Sequence, residues 1–190
     1  MICIATPTRG QIEASTASDI VQLMKHSPEA DWALSFGSII ANNRTLLVHT
    51  AVKAKATHLL FIDTDMRFPK DTLERLLAHK KDIVGVNCKQ RTRDEYISTK
   101  GGKFVTSKGK TGLEEVDTTG LGCTLIDMNV FTSPVRGLPP NCFAQPFDNS
   151  TGMFVGEDVY FCTIARDKGF KVWIDHDLSN EVKHIGSIEL

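Results

Sequence analysis

The chain has 190 residues, 41% hydrophobic and 24% charged, the balance of an ordinary globular protein rather than a disordered or fibrous one. Its 22 Lys and Arg against 23 Asp and Glu leave a net charge of -1, which excludes a polycation built to coat nucleic acid. No run approaches the ~18 apolar residues of a membrane span.

A length prior of roughly 150 residues per domain predicts one domain over residues 1–190. Residues 2–6 form an apolar run stopped by Pro7 and Gly10, a strand leading into a loop. The run carries no basic leader, so no signal peptide is expected. Residues 14–25 hold Ile20, Leu23 and Met24 at helical spacing, with Ser15 or Ser18 as the cap. A second strand is expected over 32–36 and a helix over 42–55. Residues 58–62 read as a buried strand that ends abruptly in Asp63-Thr64-Asp65. Pro69 is placed near the first position of the next helix, and residues 82–87 form another buried strand.

Residues 89–112 differ in composition. Lys89, Arg91, Arg93, Lys100, Lys103, Lys108 and Lys110 face only Asp94 and Glu95, which predicts an exposed basic loop or hairpin. Strands resume over 113–116 and 123–126. Residues 133–151, rich in Pro, Asn and Gly, read as irregular surface chain. A helix over 157–168 is ended by Gly169, a last strand covers 172–174, and a polar tail holds His184. The alternation of strands and helices defines an α/β protein. Cys3, Cys88, Cys123, Cys142 and Cys162 form no CxxC pair, so they are expected to be reduced and structural, as in a cytoplasmic protein.

Three local signals bear chemistry. Asp63 and Asp65 follow a buried strand, and in open α/β sheets ligands bind at the strands' carboxyl ends. Two carboxylates there are hard oxygen ligands suited to Mg²⁺ or Mn²⁺ with a bound phosphate. Gly156-Glu157-Asp158 opens a helix, where the positive helix end favours acids. His184 lies late in the chain, in Lys183-His184-Ile185-Gly186.

In order, the chain carries Thr6-Pro7-Thr8-Arg9, Asn43-Arg44, Phe61-Ile62-Asp63-Thr64-Asp65, Thr119-Gly120-Leu121-Gly122-Cys123, Gly156-Glu157-Asp158 and His184-Ile185-Gly186. This set resembles GT-A-type glycosyltransferases, most closely glycosyltransferase family 2. The resemblance implies a GT-A-like fold with a mostly parallel central sheet and flanking helices. It implies a hexosyltransferase-type enzyme that moves a sugar from a nucleotide-diphosphate sugar, a UDP-sugar favoured, to an acceptor hydroxyl with inversion. Asp65 and His184 would bind Mn²⁺ or Mg²⁺, with Asp63 on the metal's water or the ribose. Thr6, Pro7, Arg9, Arg44 and Thr64 would line the nucleotide pocket with Asp63. Asp158, with Glu157, would be the base that deprotonates the acceptor, and Gly120 and Gly122 would admit the donor sugar or acceptor. The acceptor would be a modified DNA base, a saccharide or a protein.

Two features depart from the family. No acid follows the second strand, Trp32-Ala33-Leu34-Ser35-Phe36, and the Gln-x-x-Arg-Trp motif of processive synthases is absent. Two other readings use the same residues. A haloacid-dehalogenase-like phosphohydrolase also carries Asp-x-Asp after a strand, but on its first strand. A nucleic-acid or anion-binding module would use the basic 89–110 segment.

Overall fold

The computed structural model describes residues 1–90 and 95–186. Arg91, Arg93 and Asp94 of the basic stretch lie outside the described residues. The central sheet is built from β1 (Ile2–Thr8), β2 (Ala30–Phe36), β3 (His58–Ile62), β4 (Ile83–Gly85), β5 (Leu113–Val116), β6 (Cys123–Asp127) and β7 (Val172–Asp175). Their spatial order is β2-β1-β3-β6-β4-β7-β5. Pairing is parallel for β1 with β2, β1 with β3 and β7 with β4, while β6 and β5 run antiparallel to their neighbours. The sheet is therefore mostly parallel, with two reversed strands.

The burial pattern explains this layout. Leu59, Leu60, Phe61 and Ile62 are all 0% exposed, so β3 is covered on both faces, as a central strand with helices on both sides of the sheet must be. Fully burying side chains of this size contributes about 1.5–3 kcal/mol each. One face packs against α1 (Ala14–His26) and α3 (Thr72–Ala78) through Ile20, Leu23, Leu73 and Leu76. The other packs against α2 (Ile40–Lys53) and α5 (Glu157–Asp167) through Leu47, Ala51, Phe161 and Ala165. Two single-turn helices, α4 (Asn129–Thr132) and α6 (His176–Ser179), complete the element order.

The two edges of the sheet differ. β2 is seven residues long and has no strand neighbour on its outer side among the described residues. β5 has four residues, and its Glu114 and Glu115 are paired with Lys100, Lys110 and Lys171.

Local expectations are corrected at four places. Neither Ser15 nor Ser18 caps α1; both lie inside it, and Glu13 stands at the N-cap without a side-chain bond. The helix after Pro69 starts at Thr72, because Thr72 bonds back to the Pro69 carbonyl through both its backbone N–H (3.1 Å) and its hydroxyl (2.7 Å). Residues 133–151 are not only surface chain: Leu138, Cys142 and Phe143 are buried, and Phe143 stacks on Phe161 at 5.2 Å. The tail is also structured. Lys183–His184 pairs antiparallel with Met66–Arg67, directly after the Asp-x-Asp motif.

Within the basic stretch, Thr99–Lys100 pairs with Lys103–Phe104 in a short hairpin that turns at Gly101 and Gly102, both at positive φ. All five cysteines are free and buried, and burial pushes the Cys123, Cys142 and Cys162 thiols up to about 12. No described helix is long and apolar enough to cross a membrane.

Candidate functional site

The carboxyl ends of β1, β2 and β3 open into a cleft of about 1190 Å³. Pro7, Arg9, Gln11, Asn43, Asp63, Thr64, Asp65 and His184 are among its lining residues. A smaller cavity of about 320 Å³ adjoins it, walled by Met66, Cys88, Gln90, Ile97, Gly120, Gly122, Glu157 and Asp158. Asp63, His184 and Ile40 line both spaces, so the Asp-x-Asp motif stands at their junction.

Each group arrives there for a local reason. Asp63 is the first residue beyond β3, and its N–H donates to the Gly122 carbonyl at 2.9 Å. A Cβ at Gly122 would stand 3.2 Å from Asp63 Oδ2, so the missing side chain leaves room for that carboxylate. A Cβ at Gly120 would run into Ile97 Cδ1 across the smaller cavity. His184 is brought to Asp65 by the strand pairing with Met66 and by Ile185 N–H donating to the Asp65 carbonyl at 2.7 Å. The result is His184 Nε2 at 3.1 Å from Asp65 Oδ2.

Arg44 organises the acids. It projects from α2, is 1% exposed and lies 4.9 Å over the Phe61 ring. Its Nη2 donates to Asp63 Oδ1 at 3.0 Å and its Nε to Glu157 Oε1 at 3.4 Å. Arg44 thus joins the strand-end acid to the acid that opens α5. With two carboxylates engaged, it lines the smaller cavity and is not among the residues that line the larger cleft.

Asp158 lies beside Arg44 and Glu157 and accepts from Val159 N–H at 2.7 Å. Burial, reinforced by the neighbouring Glu157, raises its carboxyl above the ordinary carboxylate range. Thr6 is also placed differently from expectation. It continues the inward row of Ile2 and Ile4, is 0% exposed, and its hydroxyl accepts from Trp32 Nε1 at 3.0 Å. It is not among the residues that line the larger cleft with Pro7 and Arg9.

The fit of a divalent cation rests on the donor set. Asp65 and His184 present one carboxylate and one imidazole, converging at 3.1 Å on the wall of the larger cleft. His184 Nδ1 lies 3.2 Å from the Lys89 carbonyl, the backbone partner that characteristically orients a metal-binding imidazole. Asp63 is occupied by Arg44, and no group of three His, Cys, Asp or Glu suited to a metal occurs among the described residues. Asp65 and His184 would supply one carboxylate and one imidazole to such a cation.

Asn43 and Thr8 belong to the motifs quoted above without a role assigned to them, and the apolar residues of the site carried no sequence signal of their own. Asn43 is 3% exposed and its Nδ2 donates to the Gly37 (2.9 Å) and Thr8 (3.2 Å) carbonyls, tying the ends of β1 and β2 together at the cleft. Thr8 donates to the Gln11 carbonyl at 2.7 Å and accepts from Gly10 N–H at 2.9 Å, folding the first loop over the cleft. Met66, Cys88 and Ile97 are apolar wall, which looks like core in a sequence.

No family model matches the chain, and no curated protein matches it. Solved structures do. A197 from STIV superposes with a TM-score of 0.60 at 14% identity, over 100% of this chain and 95% of that one. S. aureus TarS in complex with UDP-GlcNAc superposes with a TM-score of 0.51 at 13% identity, over 100% of this chain and 61% of that one. TarS in a second structure gives 0.52 at 13% identity, over 96% and 60%. The chain therefore has the GT-A-like α/β fold, and it spans about three fifths of the TarS chains it matches.

Proposed function

We propose that this protein is a glycosyltransferase that carries a sugar from a nucleotide-diphosphate sugar to an acceptor hydroxyl, with a UDP-sugar as the favoured donor. The observation that supports it most is the pair of adjoining spaces that share Asp63 and His184. A donor whose nucleotide occupies the larger cleft brings its diphosphate to Asp65 and His184. Its sugar then points into the smaller cavity, where Asp158 stands. TarS, which shares the fold, binds UDP-GlcNAc.

The reaction needs a charged leaving group to be stabilised and a weak nucleophile to be deprotonated. A divalent cation at Asp65 and His184 would supply Lewis-acid stabilisation of the departing diphosphate. The chain's own groups do the rest. Arg44 fixes Asp63 and Glu157, so the acidic edge between the two spaces keeps its shape. Arg44 makes no hydrogen bond to Asp158, its nearby charge only partly offsets the effect of burial, and a carboxylate whose affinity for protons is raised by burial is a better general base than an exposed one. It accepts the acceptor's proton as the hydroxyl attacks, on the side away from the leaving diphosphate, which gives inversion.

The test is a nucleotide-sugar panel scored by thermal shift, with and without Mn²⁺, followed by detection of released nucleoside diphosphate. A donor at a hundredfold excess over its Kd is expected to stabilise the fold by about 2.7 kcal/mol. Asp65→Ala is expected to remove the Mn²⁺-dependent part of the shift. A panel in which no nucleotide sugar stabilises the wild type overturns the reading.

A further inference from the structure

Behind the smaller cavity lies a buried polar cluster that the proposed chemistry does not use. At its centre is Asn87, 0% exposed, just beyond β4. Its Oδ1 accepts from Ser98 N–H at 3.0 Å, and its Nδ2 donates to the Val105 carbonyl at 2.7 Å and Ser107 Oγ at 3.1 Å. One amide thus ties both arms of the hairpin that spans 98–107. The cluster continues in two directions. Ser98 Oγ meets Thr119 Oγ1 at 2.8 Å, next to Gly120, and Ser107 Oγ meets His176 Nδ1 at 2.8 Å. Ser98 and Ser107 are both 0% exposed.

We propose that Asn87 is the positioning residue of the smaller cavity. By clamping both arms of the 98–107 hairpin it holds Ile97 against Gly120, and so sets the wall that faces Asp158 and keeps bulk water from it. This role rests on the glycosyltransferase reading of the site.

Three observations carry it. Ile97 and Cys88, which line the cavity, are the residues immediately before Ser98 and after Asn87. The clash that a side chain at Gly120 would make with Ile97 shows how closely the hairpin arm sits over the Gly120–Gly122 turn. The first arm is also tied by Thr99 to Asp117 and Thr118 and by Ile97 N–H to the Cys88 carbonyl at 3.1 Å, while Val105 and Ser107 of the second arm bond Asn87; the tip ladder is two residues per arm, and Phe104 is 63% exposed. A two-stranded hairpin of this size is marginal by itself. A fully satisfied buried network is the kind of contact that gives such an element one fixed position.

The experiment compares wild type with Asn87→Ala, using Ser98→Ala and Ser107→Ala as milder variants that each remove one hydroxyl of the cluster. Lys103→Ala, at the exposed tip, is the control. Hydrogen exchange of residues 97–107 reads the clamp, calorimetry with Mn²⁺ and UDP reads the larger cleft, and release of UDP from UDP-GlcNAc in the absence of acceptor reads water entry. Amides of 97–107 are expected to exchange about 10-fold faster in the cluster variants, as local opening becomes easier. UDP affinity is expected to stay within about 3-fold, while hydrolysis of UDP-GlcNAc rises on the order of 10-fold as the site loses its exclusion of water.

Unchanged exchange and hydrolysis in all three variants overturn the proposal. So does a parallel loss of UDP affinity and hydrolysis, which marks Asn87 as a general stability residue. Failure of the wild type to bind UDP or any nucleotide sugar overturns the glycosyltransferase reading and the positioning role with it, whatever the exchange data show.

Discussion

Asp158 carries two opposing demands, and its environment decides between them. As the second residue of α5 it is placed to help cap the helix, yet α5 has no side-chain cap bond; Asp158 accepts only from the next residue's N–H. Burial is the largest influence on its carboxyl and raises its proton affinity above the ordinary value of 3.8. The sign follows. A folded-state pKa above the unfolded one means the folded state holds its proton more tightly, so ionisation costs stability once the pH exceeds the folded value. Asp158→Asn is therefore expected to melt at the same temperature as wild type or higher at pH 7, with a smaller decline between pH 4 and pH 7. Turnover with the donor identified by the panel is expected to fall by about 10²- to 10⁴-fold. A helix-capping role predicts the opposite pair of results: a loss of about 0.5–2 kcal/mol with activity intact. Melting curves and steady-state rates on the same preparations separate the two.

At the scale of elements, β5 shows how a short strand is held by charge. Its Glu114 bonds Lys110 Nζ at 2.8 Å and His176 Nε2 at 3.0 Å, and Lys100 lies at 3.5 Å. The Lys110 bond is the main cause that holds its carboxyl down, to about 2 from an ordinary 4.5, with His176 adding to it. A depressed folded-state value gives stability that is present above the ordinary pKa and lost as pH falls through the folded one. Wild type is thus expected to melt higher than Glu114→Gln at pH 6, and the gap to close between pH 4.5 and pH 2. A gap that stays constant across that range removes Glu114 from the acid response. Elements such as β3 were legible in the sequence because their signal is local. Four consecutive buried apolar residues stopped by Asp63 specify a strand and its carboxyl end without any other part of the chain. Asp65 reaches the cleft wall for the same reason. The strand at Lys183–His184 was not, because two residues pairing with Met66–Arg67 across more than a hundred positions leave no periodicity. Thr6 was placed on the cleft because a sequence shows which residues adjoin a site but not which way each side chain turns. The anchor at Phe143 was hidden by the Pro- and Gly-rich chain around it.

At the scale of the whole molecule, the site draws on every part of the chain. The larger cleft takes residues from the first loop, α2, the end of β3 and the last described strand; the smaller takes the hairpin, the turn before β6 and the start of α5. A ligand held there needs the whole chain folded, so its binding reports on global folding. The sheet that carries these segments also has consequences for handling the protein. Natural sheets blunt an exposed edge with Lys, Pro, a bulge or a very short strand, since open N–H and C=O groups recruit other strands. β5 is short and ringed with charges, but seven-residue β2 bears only Asp31, while Leu34 is 41% and Phe36 66% exposed. Concentrated solutions are expected to self-associate through that margin. Leu34→Lys is expected to flatten the rise of static light scattering with protein concentration and leave the melting temperature within about 2 °C, the change of an ordinary surface substitution in a domain this size. Equal scattering slopes for the two proteins would instead mean that the β2 margin is colloidally silent, and that crystallisation screens and storage buffers need not be designed around it.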